Sequence, residues 1–172
     1  DTSPRWSPDG NTLAMASKPQ PGNTQWYSKL HLFPADGGEP IIMLDDFDLA
    51  FGQPMWARDG RTIYWSTGQG TVTNLFGVDL DSGELTIRRA PMRGANGQWQ
   101  LSHDGNFWVF SHSDPGRPGN LWVATREGDG FGPAVQLTDA NPWVEQEEVQ
   151  LGRVESVRWT NSDEGTIEGV LT

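Results

Sequence analysis

The chain has 172 residues, enough for one ordinary domain, and its 23 acidic against 12 basic residues give a formal net charge of −11. That balance excludes a nucleic-acid partner, which needs a basic patch, and disfavours an anionic membrane surface. With no cysteine there are no disulfides, thiolate metal sites or cysteine nucleophiles, and the redox compartment is left open. No uninterrupted apolar run approaches the ~20 residues of a membrane helix. Hydrophobic residues are 35% of the chain, with 21 Gly, 12 Pro and 9 Trp. Few aliphatics, many turn formers and abundant Trp point to short strands rather than long helices. The chain starts at Asp1 rather than Met, which suggests a processed or excised piece.

Taken in chain order, the first segment is RWSPDGNTLAMAS (5–17): an aromatic residue, a Ser-Pro-Asp-Gly corner and an apolar run. Asp9 and Gly10 are expected to supply the two residues of a tight hairpin turn, where Gly accepts positive φ cheaply. An apolar strand, a Gly-rich turn and another strand follow in KLHLFPADGGEPIIML (29–44). The same order then recurs. MWARDGRTIYWST (55–67) leads to NLFGVDLDSGELTIRR (74–89), and QLSHDGNFWVFSH (100–112) leads to NLWVATREGDGFGPAVQLT (120–138). The aligned acids are Asp9, Asp59 and Asp104, each followed by a glycine (Gly10, Gly60, Gly105), at spacings of 50 and 45 residues. Periods of about 40–50 residues mark propellers or solenoids. Three residues before each Asp stand Trp6, Trp56 and Leu101, where a large apolar side chain can pack between neighbouring sheets and anchor them.

Each unit is therefore four strands, the blade of a β-propeller. The expected fold is all-β, a partial propeller of about three four-stranded antiparallel blades at 3–44, 53–90 and 98–138. Residues 139–172 form an exit segment. Three blades make an open arc whose flanks need cover, from the rest of a parent chain or from self-association.

These repeats resemble those of TolB-type proteins and of the propellers of prolyl oligopeptidase family serine peptidases. The tail, QLTDANPWVEQEEVQLGRVESVRWTNSDEGTIEGVLT (136–172), resembles the propeller exit of dipeptidyl and acylaminoacyl peptidases. There a Leu-Thr-Asp-x-Asn segment closes the last blade, and a VESVRW-type strand and an Asp-Gly hairpin lead into an α/β-hydrolase domain. Here the hairpin reads Asp163-Glu164-Gly165-Thr166-Ile167-Glu168-Gly169, one residue longer than the usual Asp-Gly. The resemblance implies a propeller that gates and orients peptide substrates for a Ser-His-Asp site elsewhere. That nucleophile sits in a G-x-S-x-G elbow, and no such motif occurs in these 172 residues. No catalytic residue, cofactor or metal ligand is assigned. The alternative function is a non-enzymatic, TolB-like protein-binding propeller.

The remaining candidates read as structural. His103 fills the turn position of Pro8 and Arg58, and neither His31 nor His112 has a nucleophile motif beside it. Asp79 and Asp81 lie in a loop, DLDSGE, that matches no complete Ca²⁺ pattern. The acidic groups Asp45, Asp46 and Asp48, and Glu145, Glu147 and Glu148, match no propeller substrate motif.

Overall fold

The structure, a computed structural model, describes residues 2–18, 28–128, 130–146 and 154–171. Among them are three four-stranded antiparallel sheets and one two-stranded hairpin. The first sheet is β1 (Thr2–Trp6), β2 (Thr12–Ser17), β3 (Lys29–Pro34) and β4 (Ile41–Met43). The second is β5 (Met55–Trp56), β6 (Thr62–Gln69), β7 (Val72–Asp79) and β8 (Leu85–Arg88). The third is β9 (Ala95–Leu101), β10 (Phe107–Asp114), β11 (Arg117–Glu127) and β12 (Gly130–Gln136). A single helical turn, α1 (Trp143–Gln146), precedes β13 (Glu155–Thr160) and β14 (Thr166–Leu171). Within each sheet, chain order is spatial order and no sheet closes on itself, as the repeat predicts for open propeller blades.

Strand alternation decides what each sheet buries. On β6, Ile63 and Trp65 face the first sheet, whereas Tyr64 faces the third. The first interface joins Ala14, Ala16, Leu30 and Leu32 to Phe51, Trp65, Phe76 and Val78. Small alanines on β2 leave room for large rings opposite, so Phe51 stacks on Trp65 at 4.0 Å and Phe47 meets Trp65 edge-on at 5.5 Å. The second interface joins Tyr64 and Leu75 to Trp99, Trp108 and Phe110. Tyr64 meets Trp108 at 90° and 5.0 Å, and Trp99 stacks on Phe110 at 4.4 Å. The middle sheet is thus buried on both faces.

Trp56 sits in the first interface, packed against its core, and its indole N–H donates to the Arg5 carbonyl across the sheets at 3.0 Å. Trp6 holds the equivalent place on the first sheet but is 58% exposed. The reason is positional: no described sheet precedes β1, so the face that carries Trp6 has nothing to meet. Among the described residues Trp6 anchors no neighbouring sheet. On the opposite flank, Phe107, Leu121 and Val135 of the third sheet are exposed for the same reason.

The turns differ in detail from a two-residue hairpin. The Gly10 amide bonds the Ser7 carbonyl at 2.9 Å, and Ser7 and Thr12 pair beyond it at 2.8 Å. Pro8 and Asp9 are therefore the central residues, and Gly10 follows in the left-handed region at φ 74°. Gly60 (φ 71°) and Gly105 (φ 76°) repeat this. A further repeat lies six residues before Asp9 and Asp104, where Ser3 (φ 55°) and Gln98 (φ 49°) mark bulges in the edge strands β1 and β9.

Trp65 is fully buried, and truncation to Ala should cost about 3–5 kcal/mol. Trp6→Ala should cost under about 1 kcal/mol, as an exposed side chain does. Denaturant unfolding of both variants checks this difference, and equal losses would refute the assignment of buried and open faces.

Candidate functional site

The two ends of the sheets carry different chemistry. At one end lie the repeat turns. Asp9 accepts from the Ser7 hydroxyl at 2.6 Å, the Asn11 amide at 3.1 Å and the Asn11 side chain at 2.9 Å. Asp104 accepts from Ser102, from the Asn106 amide and from the Asn106 side chain at 2.6, 3.1 and 2.8 Å. The serine hydroxyls first, then the asparagines, hold both carboxyls below the ordinary carboxylate range. The second copy has Ala57 and Arg61 in place of the serine and asparagine, so Asp59 keeps only the Arg61 amide at 2.9 Å, while the Arg61 guanidinium pairs with Asp81. Asp59, Asp104, Gly105 and Arg126 border one shallow hollow. The contacts that Asp9, Asp59 and Asp104 accept each serve their own turn, and only the Arg61–Asp81 pair links two turns here. Asp79 behaves alike, accepting from the Ser82 amide and hydroxyl, each at 2.9 Å. Among the described residues no three His, Asp or Glu converge as a metal site, and Glu147 and Glu148 lie outside them.

At the opposite end the C-terminal hairpin meets the middle sheet. Gly70 (φ 62°) and Thr71 make the tight β6–β7 turn. Glu168 of β14 accepts from the Thr71 amide at 3.0 Å, from the Arg158 Nε at 3.1 Å and from the Ser156 hydroxyl at 3.1 Å. The Thr71 N–H, then Arg158, then Ser156 pull its carboxyl below the usual range. A Cβ at position 70 would lie 2.2 Å from the Glu168 carboxylate, so the glycine also admits this contact.

Glu168, Thr71 and Arg158 line a pocket of about 560 Å³ together with Arg89, Met92 and Arg93. The last three belong to the connection between the second and third sheets, and buried groups hold it in shape. Asn96 donates to the Met92 and Gly94 carbonyls at 2.8 and 3.2 Å. Its side-chain oxygen faces His112 Nδ1 at 2.9 Å. Because Asn96 donates with its nitrogen, His112 is the donor in that last contact. Gly94 sits at φ 132°, where a Cβ would come within 2.5 Å of the Ser113 carbonyl.

His112 is 1% exposed, with Asp114 3.4 Å from Nε2 and Trp122 edge-on at 6.0 Å. A ring so enclosed braces the loop and has no route to a substrate. His31 is also buried, stacked on Phe33, and His103 is exposed in its turn. Sequence reading passed over Arg89, Arg93, Asn96, Arg158 and Glu168. The available signal was RRAPMRG (88–94), a basic run in an acidic chain.

Comparison with known proteins places this architecture. No protein-family model matches the chain. The acylamino-acid-releasing enzyme of Sus scrofa is 28% identical over 164 residues, covering 87% of this chain and 21% of that protein. Two other matched relatives carry peptidase names as well. The acylaminoacyl peptidase of Pyrococcus horikoshii superposes with a TM-score of 0.65 at 19% identity, over 94% of this chain and 23% of its own. Three matched relatives of this chain thus carry peptidase names, and its fold is that of the propellers of such enzymes. A putative TolB from Agrobacterium tumefaciens is also similar, with a TM-score of 0.62 at 25% identity over 81% of this propeller segment and 47% of that chain. The chain spans 11–39% of the length of the curated relatives it matches.

The Glu168 contacts give a pH expectation. A carboxyl with a lowered pKa supports hairpin docking fully above the ordinary carboxylate range and loses that support as pH falls through the lowered value. Exchange protection of the Thr71 amide should therefore hold at neutral pH and fall in acid. Glu168→Gln should weaken it at neutral pH and remove most of its dependence on pH, and protection unchanged in both tests would disprove the docking role.

Proposed function

We propose that this chain is a non-catalytic propeller segment of a serine peptidase, controlling how peptides reach and orient toward a catalytic domain joined through the β13–β14 hairpin. On this reading residues 1–138 are three blades (3–44, 53–90 and 98–138), and 139–172 are the exit. Trp6, Asp9, Gly10, Trp56, Asp59, Gly60, Asp104 and Gly105 are repeat positions that build blades and take no part in chemistry. Trp6 and the opposite exposed flank are then surfaces for further blades.

The observation that carries the reading is the placement of the hairpin. It lies outside the three sheets yet is tied to the middle one through Glu168 and Thr71. The likeness to acylaminoacyl peptidase covers 94% of the chain, so it leaves about ten residues unmatched, fewer than the hairpin contains. The likeness to TolB covers 81% and leaves room to omit the hairpin altogether. That TolB likeness, at higher identity, supports the second reading of a binding propeller without catalysis.

Sequencing the reading frame beyond the Thr172 codon and assaying its full product separates the two. The peptidase reading expects a downstream G-x-S-x-G, hydrolysis of dipeptidyl or N-acyl-aminoacyl substrates, and no turnover by the 172-residue chain alone. A stop codon, or a continuation without that motif, supports the binding propeller. Turnover abolished by a substitution within 1–172 would overturn the non-catalytic assignment.

A further inference from the structure

The pocket beneath the hairpin concentrates positive charge in an acidic chain. Arg89, Arg93 and Arg158 face it, against the single carboxylate of Glu168. Glu168 is already engaged by the Thr71 amide, Ser156 and Arg158. Among the described residues neither Arg89 nor Arg93 has an ion-pair partner. Guanidinium groups gathered in a concave site repel one another unless an anion joins them, and their planar forks match a carboxylate with two parallel hydrogen bonds.

We propose that this pocket binds a peptide carboxylate, supplied by a free C-terminus or by an acidic side chain, between Arg89 and Arg93. The site is braced before any ligand arrives. Asn96 is 3% exposed and pins the Met92 and Gly94 carbonyls on either side of Arg93, His112 donates to Asn96, and Gly94 adopts a backbone that a side chain would block. Such bracing lowers the ordering cost of binding. Met92, which also lines the pocket, offers an adaptable apolar contact for the residue that carries the carboxylate. A volume of about 560 Å³ accommodates a short peptide end. The overall charge of −11 opposes extended polyanions, whereas one carboxylate needs only the local field.

Only the choice of a peptide as the carrier rests on the peptidase reading; capture of a carboxylate does not. The test uses the 172-residue chain and three acetylated tripeptides: Ala-Ala-Ala with a free carboxylate, the same peptide as its amide, and Ala-Asp-Ala as its amide. Titrations followed by amide NMR should show the free acid shifting Thr71 and Arg93, with binding that weakens as salt rises. The C-terminal amide should bind about tenfold more weakly or worse, as expected for losing a charged hydrogen-bond pair. Binding by the Asp peptide identifies a side chain as a sufficient source; its failure confines the site to C-termini. Arg89→Gln with Arg93→Gln should abolish the acid–amide difference, and the two lysine variants should restore part of it. Acid and amide binding equally, or neither binding, overturns the proposal even if the double variant fails to fold. Failure of the peptidase reading is separate: carboxylate binding with no hydrolysis by the full product leaves this inference standing. Hydrolysis with no acid–amide discrimination here leaves only the other.

Discussion

Face-to-face packing of the middle sheet against both neighbours is the constraint on which the structure depends. Ile63, Trp65, Phe76 and Val78 point one way and Tyr64 and Leu75 the other, all at or below 1% exposure. A sheet buried on both sides has no freedom to slip, because a one-residue shift would exchange its two hydrophobic faces. The low aliphatic content is offset by aromatic rings, each covering more area than an aliphatic residue. The partner faces are sized to receive them, with alanines at 14 and 16 opposite Trp65 and Phe51.

That packing also fixes where chemistry can gather. With antiparallel strands in chain order, the Asp-Gly turns lie at one end, and the β6–β7 turn and the 89–94 connection lie at the other. The first end is chemically closed, since Asp9 and Asp104 spend their oxygens on their own turns. The second end is open. It brings together a tight turn, a braced arginine loop and the hairpin that the peptidase reading connects to catalysis. The same rigid sheets that stabilise the segment therefore hold Arg89, Arg93 and Arg158 around one pocket.

Much of the fold was legible because it is periodic. The Asp-Gly spacing and the paired apolar runs gave three four-stranded sheets, since each repeat is governed by local turn chemistry and alternation. Burial was less legible, because it depends on neighbours: Trp6 and Trp56 share a motif, but only Trp56 has a sheet to meet. The turn type was misread by one residue, as hydrogen bonding rather than composition decides which residues are central. The pocket was not legible at all. It draws residues 71, 89, 93, 158 and 168 from four separate stretches, and its bracing comes from a buried His112 that reads in sequence as ordinary. The hairpin turn hides a further irregularity. Glu164 takes φ 63°, the backbone that Gly10 takes in the first repeat, because the glycine there falls one residue later.

On the proposed reading, the hairpin end is the working face and the two apolar flanks are internal joints of a larger propeller. An experimental structure of the full translation product tests it most directly. Further sheets should pack on the Trp6 face and on the face that carries Phe107 and Val135, with a second domain seated over Arg89, Arg93 and Glu168. A second domain placed over the Asp9, Asp59 and Asp104 turns, or flanks left bare to solvent, would contradict it.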